Sequence, residues 1–209
     1  MYAPSALAGN GRLKWFNGFM RPSGCQRMLE QLQQAHWQPS RVRRRVDHQS
    51  ASSRRRQSTT ANEFSFSPDL LSMLRTLDRR LERLIPRFTR RRERWQATRY
   101  GVAERYDDHC DAGAFAHQPQ GERAYTVMIY LQAPRAGGAT RFRHLGLELA
   151  PVVGRLVIWR NVTRAFEVDS EMVHASLPVI AGCKTVLVTH VRQRQSPRPR
   201  DKRSPLSAR

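Results

Sequence analysis

Past Arg94 the apolar residues change from a helical to a strand-like spacing and keep it as far as Arg192. Short apolar or alternating runs follow one another at 95–102, 125–131, 139–142, 145–149, 156–159 and 185–191, separated by turn-formers such as Gly137-Gly138 and Pro151. Side chains of a strand alternate between two faces, so each run must bury a face against another sheet or a layer of helices. Many short strands with no helices between them close as a sandwich, a jelly roll or a barrel.

Upstream the pattern is helical. Segment 23–37 opens with Ser23 as a candidate cap and brings Met28, Leu29, Leu32 and Trp37 near one face. A longer helix follows Ser67 and Pro68, with Leu70, Leu74, Leu77, Leu81 and Leu84 in steps of four and three, and Pro86 should end or kink it. Between the two, residues 39–60 are rich in Arg, Ser and Gln and poor in apolar side chains, which predicts a mobile loop or lid. The chain thus divides into a helical support region over 1–94, a β core over 95–192 and a disordered basic tail over 193–209.

Charge speaks to partners. The chain carries 37 Lys and Arg against 17 Asp and Glu, a formal net charge of +20, which would attract a polyanion and makes nucleic acid a hypothesis to weigh. Against it, the basic runs Arg43–Arg45, Arg54–Arg56 and Arg90–Arg92 lack interleaved aromatics for base stacking. Cys25, Cys110 and Cys183 are widely spaced without a CxxC, which indicates neither a disulfide framework nor a zinc knuckle. No signal-peptide core and no long apolar span is visible, so the expectation is a cytoplasmic protein without a membrane segment.

His109 and Asp111, in YDDHCD, lie at the end of a strand-like segment, where residues two apart project to one face. With seven histidines, a chance His-x-Asp is expected in roughly one sequence in four, so the pair needs a partner. His174, in MVHASLPVI, would complete a set of two histidines and one carboxylate, which leaves one side of an octahedral metal open. Cys110, between two of these residues, should point away from the metal into packing.

The run from Tyr100 to Arg192 resembles the catalytic core of the prolyl 4-hydroxylase branch of the Fe(II)- and 2-oxoglutarate-dependent oxygenases. RYGVAERYDDHCD resembles that family's strand ending in Y-x-x-H-x-D, and VMIYLQAPRAGGATRF its M-Y-L strand and G-G-x-T-x-F turn. HASLPVIAGCK places Lys184 ten positions after His174, where this branch puts the base for the far carboxylate of 2-oxoglutarate. Lysine occurs otherwise only at Lys14 and Lys202 in this arginine-rich chain. The first half is similar more loosely, through FNGFMRPSGCQRMLEQL and RRRQSTTANEF.

The resemblance implies an α+β, mainly β fold, with a double-stranded β-helix (jelly-roll) core and the N-terminal helices packed on one sheet. It implies Fe(II) at His109, Asp111 and His174, 2-oxoglutarate and dioxygen as cosubstrates, and ascorbate as a candidate reductant. Tyr130 would bind the distal carboxylate beside Lys184, Tyr100 would face the cosubstrate or the substrate entrance, and Thr140 would line the pocket. Trp159 is core or substrate wall. Two departures stand out: Arg143 replaces the proline usual after the G-G-x-T-x-F turn, and the W-N pair reads Trp159-Arg160-Asn161. The implied activity is hydroxylation of an unactivated C–H bond, first in a prolyl residue of a peptide or protein. A free amino acid or small metabolite is the alternative substrate, and a nucleic-acid-associated oxygenase or binding protein the reading from a different class.

Overall fold

The computed structural model describes residues 3–43, 50–51 and 53–195. The described residues are mostly β, with three α-helices and antiparallel sheets. Helix α1, Pro22–Leu32, starts with Pro at its first turn after an extended Arg21; Ser23, expected as the cap, lies inside the helix. It buries Cys25, Met28 and Leu32 and stops short of Trp37, whose indole N–H donates to the Leu32 carbonyl at 2.9 Å. That bond satisfies one of the carbonyls every helix end leaves open. Helix α2, Pro68–Leu81, is capped as expected, the Ser67 hydroxyl accepting from the Leu70 N–H at 3.1 Å. Its apolar stripe of Leu70, Leu74, Leu77 and Leu81 is buried, while Leu84 falls in the turns before Pro86 and the short α3, Phe88–Arg91.

The larger sheet has eight strands, in the order Ala6–Ala8, Leu13–Phe16, Leu156–Arg160, Arg123–Gln132, Lys184–Arg192, Gln96–Tyr100, Thr59–Asn62, Trp37–Pro39. The smaller has five: Leu147–Leu149, Thr140–Phe142, His174–Ser176, Arg105–His109 and Arg56–Gln57. The N-terminal region is therefore not helical support alone, since it supplies strands to both sheets. Its strands are two to four residues long, too short to show a period. Segment 39–60 is likewise largely paired where it is described: Val42–Arg43 pairs with Ser50–Ala51, and Arg56–Gln57 pairs with Arg105–His109. Residues 44–49 and 52 of that segment, and 196–209 of the tail, lie outside the described residues.

Alternation along the central strands builds two cores. On Arg123–Gln132, Val127, Ile129 and Leu131 face a core shared with Met28, Leu32, Leu70, Leu74 and Trp95 of the helical side. Met128 and Tyr130 face the other way, into a second core with Phe142, Leu149 and Met172 from the smaller sheet side. The helical layer is tied down by a buried network. Asp78 of α2 accepts from the Trp95 indole and the Arg92 guanidinium, both at 2.9 Å, and Arg92 also reaches Glu63 at 2.8 Å. Among the described residues no helix is long and apolar enough to cross a membrane.

Candidate active site

His109 closes its strand, His174 opens another, and the two face each other in antiparallel register. Asp111 follows just past the strand end. One ligand atom from each of the three lies within 4.8 Å of the others. The His109 and His174 Nε2 atoms are 3.7 and 3.5 Å from the Asp111 carboxylate. Both imidazoles turn Nδ1 to the backbone carbonyl two residues upstream, Asp107 at 2.8 Å and Met172 at 3.0 Å. A carbonyl only accepts, so Nδ1 carries the proton and the Nε2 lone pair faces the gap.

Electrostatics agrees with that tautomer. Burial, with His174 beside it, pushes His109 down to about 3, keeping it neutral as a metal ligand must be. Burial works against the Asp111 charge, but His174, His190 and His109 together hold its carboxyl well below the ordinary carboxylate range. Asp111 Oδ2 accepts the Thr126 hydroxyl at 2.6 Å, and Thr126 Oγ1 accepts the Asn161 amide at 2.8 Å. Aromatic rings hold the imidazoles in place: Tyr106 stacks on His109 at 3.5 Å between centroids, and Trp159 meets His174 edge-on at 4.8 Å. Trp159 is both core and wall, lining the cavity with its buried indole N–H unpartnered among the described residues.

The cavity, about 470 Å³, runs from these groups to Lys184. Lys184 is 1% exposed, and its Nζ donates to the Gly138 carbonyl at 2.7 Å and to the Ser176 hydroxyl. It also lies 4.5 Å from the centre of the Tyr100 ring, its register partner across the sheet. No carboxylate within ion-pair distance accompanies it among the described residues, and burial pushes its pKa down to about 7. The Gly137-Gly138 turn sets the carbonyl that Lys184 uses. At Gly137, φ is +75°, and a Cβ would come within 2.5 Å of the Pro178 carbonyl oxygen.

Tyr100, Thr140, Lys184 and the three metal-binding candidates all line this one cavity. Tyr130 does not. It is fully buried, its hydroxyl 2.6 Å from Thr140 Oγ1, so it reaches the cavity through Thr140. Cys110, expected to pack away from the site, is half-buried and contributes to the wall.

Residue spacing alone does not single out several groups that the structure adds. Ser176 joins Lys184, and Thr126 and Asn161 support Asp111. On the wall beyond Asp111, Glu93 pairs with Arg123 at 2.7 Å and Arg192 at 2.8 Å, and His190 stands between Glu93 and Asp111 at 3.7 and 3.6 Å. Burial opposes the Glu93 charge, but Arg123, His190 and Arg192 hold it at about 2.

Two imidazoles that present Nε2 and an ionised carboxylate suit a divalent iron whose other face stays open, and a buried ammonium without an anion suits the far end of a dicarboxylate. The arrangement is that of a two-histidine, one-carboxylate oxygenase. Residues 95–192 match the model of the 2OG-Fe(II) oxygenase superfamily. Over these residues the chain is similar to that superfamily, in its prolyl 4-hydroxylase-like branch, a group that works with Fe(II) and 2-oxoglutarate.

The chain is 34% identical over 124 residues to prolyl 4-hydroxylase subunit alpha-2 of Caenorhabditis elegans, a match covering 56% of this chain and 23% of that one. It is 36% identical over 96 residues to the human subunit alpha-3, covering 44% and 18%. It thus spans less than a quarter of the length of these curated relatives. In fold it is similar to a viral collagen prolyl hydroxylase of Paramecium bursaria Chlorella virus-1 solved as a 2OG complex, with TM-score 0.64, 19% identity, and 90% and 99% of the two chains covered. A prolyl hydroxylase of Trichoplax adhaerens, solved with a hypoxia inducible factor peptide fragment, gives TM-score 0.63, 17% identity and 87% and 84% coverage.

Proposed function

We propose that the protein is an Fe(II)- and 2-oxoglutarate-dependent dioxygenase that hydroxylates an unactivated C–H bond of a prolyl residue in a peptide or protein. The observation that carries this reading is one cavity with an in-register His109/His174 pair and Asp111 at one end and an anion-seeking Lys184 at the other. The two facing sheets are then a double-stranded β-helix, or jelly roll, over 95–192. Residues 1–94 support it and 193–209 form a basic tail.

In this reading His109, Asp111 and His174 hold the metal through Nε2, a carboxylate oxygen and Nε2. Lys184, with Ser176 and Tyr100, holds the far carboxylate of 2-oxoglutarate, and Thr140 with Tyr130 behind it shapes the wall beside that end. When bound, the metal and cosubstrate supply the oxidation itself: one oxygen atom of O2 goes into the new C–OH and the other into succinate as carbon dioxide leaves. The protein contributes position and dryness. Trp159, Phe142 and Met128 keep bulk water from the reacting centre, and the Nδ1–H bonds to carbonyls fix each imidazole with its Nε2 toward the metal. Ascorbate would serve as an external reductant.

A peptide substrate is supported by the named relatives and by the peptide in the Trichoplax structure. A free amino acid is the second reading, favoured by a cavity of about 470 Å³ that accommodates a small molecule next to 2-oxoglutarate. Succinate formation from 2-oxoglutarate, with Fe(II) loaded anaerobically, tests the activity. It should need a proline-containing acceptor and vanish in His109→Ala. Mass spectrometry for one added oxygen on proline peptides, against free proline, separates the two substrates. Turnover that survives loss of His109 would sink the reading.

A further inference from the structure

We propose that Asn161 and Thr126 form a directed hydrogen-bond relay that fixes Asp111 as the metal-binding carboxylate, which makes both of them positioning residues of the metal centre. The inference rests on the Fe(II) reading above and deepens it. The three metal-binding candidates are not held alike. Each histidine sits on a strand and is locked by its own Nδ1–H to a carbonyl. Asp111 lies outside any strand, so the rotation of its carboxylate depends on what its side chain bonds.

Its short bond is to Thr126, at 2.6 Å to Oδ2, while His190 Nε2 stands farther off, 3.6 Å from Oδ1. A threonine hydroxyl has one proton to give and lone pairs to receive. The Asn161 amide donates into that oxygen at 2.8 Å, which leaves the Thr126 proton one acceptor, the Asp111 carboxylate. The sequence amide, hydroxyl, carboxylate therefore runs in one direction only. It is shielded from competing water, because Thr126 is 1% and Asn161 3% exposed. It is also anchored at its origin. The Asn161 backbone donates to the Ala124 carbonyl and accepts from the Asp169 N–H, both at 2.9 Å, and Asp169 is paired with Arg12. A bond from hydroxyl to carboxylate is charge-assisted and about twice as strong as a neutral one, enough to hold a carboxylate that the backbone leaves free.

The test is Co(II) binding to the purified protein, with Co(II) standing in for Fe(II), read by titration and by ligand-field absorption. Thr126→Val keeps the shape and removes the hydroxyl; it should weaken Co(II) binding by roughly 10- to 100-fold and change the absorption bands. Thr126→Ser returns the hydroxyl and should restore both. Asn161→Leu should fall between, because the hydroxyl remains but is no longer aimed. Equal melting temperatures without metal show that the fold is intact, and Asn161→Leu carries the test if Thr126→Val fails to fold. The relay is overturned if wild type binds tightly and the variants match it, or if Thr126→Ser is as weak as Thr126→Val. A wild-type protein that takes up no Co(II) overturns the metal reading, and the relay with it.

Discussion

The two ends of the cavity are built on opposite electrostatic plans. At the metal end the charged groups and the imidazoles are matched by the protein: imidazole Nδ1 atoms meet carbonyls, Thr126 meets Asp111, and Glu93 meets two arginines. At the other end a buried ammonium, Lys184, has only a carbonyl, a hydroxyl and an aromatic face. An unpaired buried charge is costly, and proteins keep one where a ligand will complete it. The first end is thus prepared before anything binds, while the second is incomplete without an anion.

The contrast can be broken at either end separately. The largest effect should come from His109→Ala, which removes one of the three proposed ligands and should abolish stoichiometric Co(II) binding, measured by titration, while 2-oxoglutarate still protects the protein thermally through Lys184. Next is Lys184→Met. Losing a buried charge-assisted partner costs several kcal/mol, so 2-oxoglutarate affinity should drop on the order of 100- to 1000-fold. Co(II) binding alone should be unchanged. If either substitution damages both ends equally, the two plans are not independent.

The same contrast sets a pH signature. In the folded protein Lys184 is pushed down to about 7 from an ordinary 10.5, chiefly by burial. Between these values the unfolded chain binds the proton that the folded one has released, so stability without ligand should rise with pH across that window, by up to about 1.4 kcal/mol per unit. Binding of 2-oxoglutarate runs the other way. It needs the charged lysine, so affinity should fall as pH climbs above about 7. Thermal melts and titrations at pH 7 and 9 on wild type and Lys184→Met check both slopes. Slopes that persist in the variant would assign them to other groups.

Both ends were largely legible in the sequence, the metal end through the local spacing of His109 and Asp111, two apart, and the lysine end through the family resemblance, which gives meaning to Lys184 ten after His174. The long stripe of α2 and the alternation of the central strands were legible through local spacing as well. What was not legible acts across strands. Thr126 in an alternating run reads as an ordinary β residue, and only the register that sets it opposite Trp159 and His190 places it in the metal cavity. Ser176 and Glu93 are equally silent until the sheets close. Strands such as Thr59–Asn62 and Ala6–Ala8 escape for a different reason, being shorter than any period can reveal.

A smaller effect should follow from Gly137→Ala. The added methyl meets the Pro178 carbonyl oxygen and the Ile180 nitrogen, at 2.5 and 2.7 Å, in a left-handed conformation. Backbone must shift, and the Gly138 carbonyl that orients Lys184 shifts with it. A destabilisation of about 1–3 kcal/mol is expected, visible by denaturant titration, with 2-oxoglutarate binding weakened more than Co(II) binding.

The smallest effect separates direct from relayed contact at the lysine end. Ser176 touches Lys184 itself, whereas the Tyr130 hydroxyl is engaged by Thr140 and stays off the cavity wall. Ser176→Ala should therefore weaken 2-oxoglutarate binding by about tenfold, the scale of one hydrogen bond to a charged group. Tyr130→Phe should weaken it by only about two- to threefold, because the ring still packs and Thr140 remains in place. Calorimetric titration of both variants decides the matter. If Tyr130→Phe proves the more damaging, its hydroxyl turns from Thr140 to the bound carboxylate, and the lysine end is rebuilt by its ligand to a degree that the metal end is not.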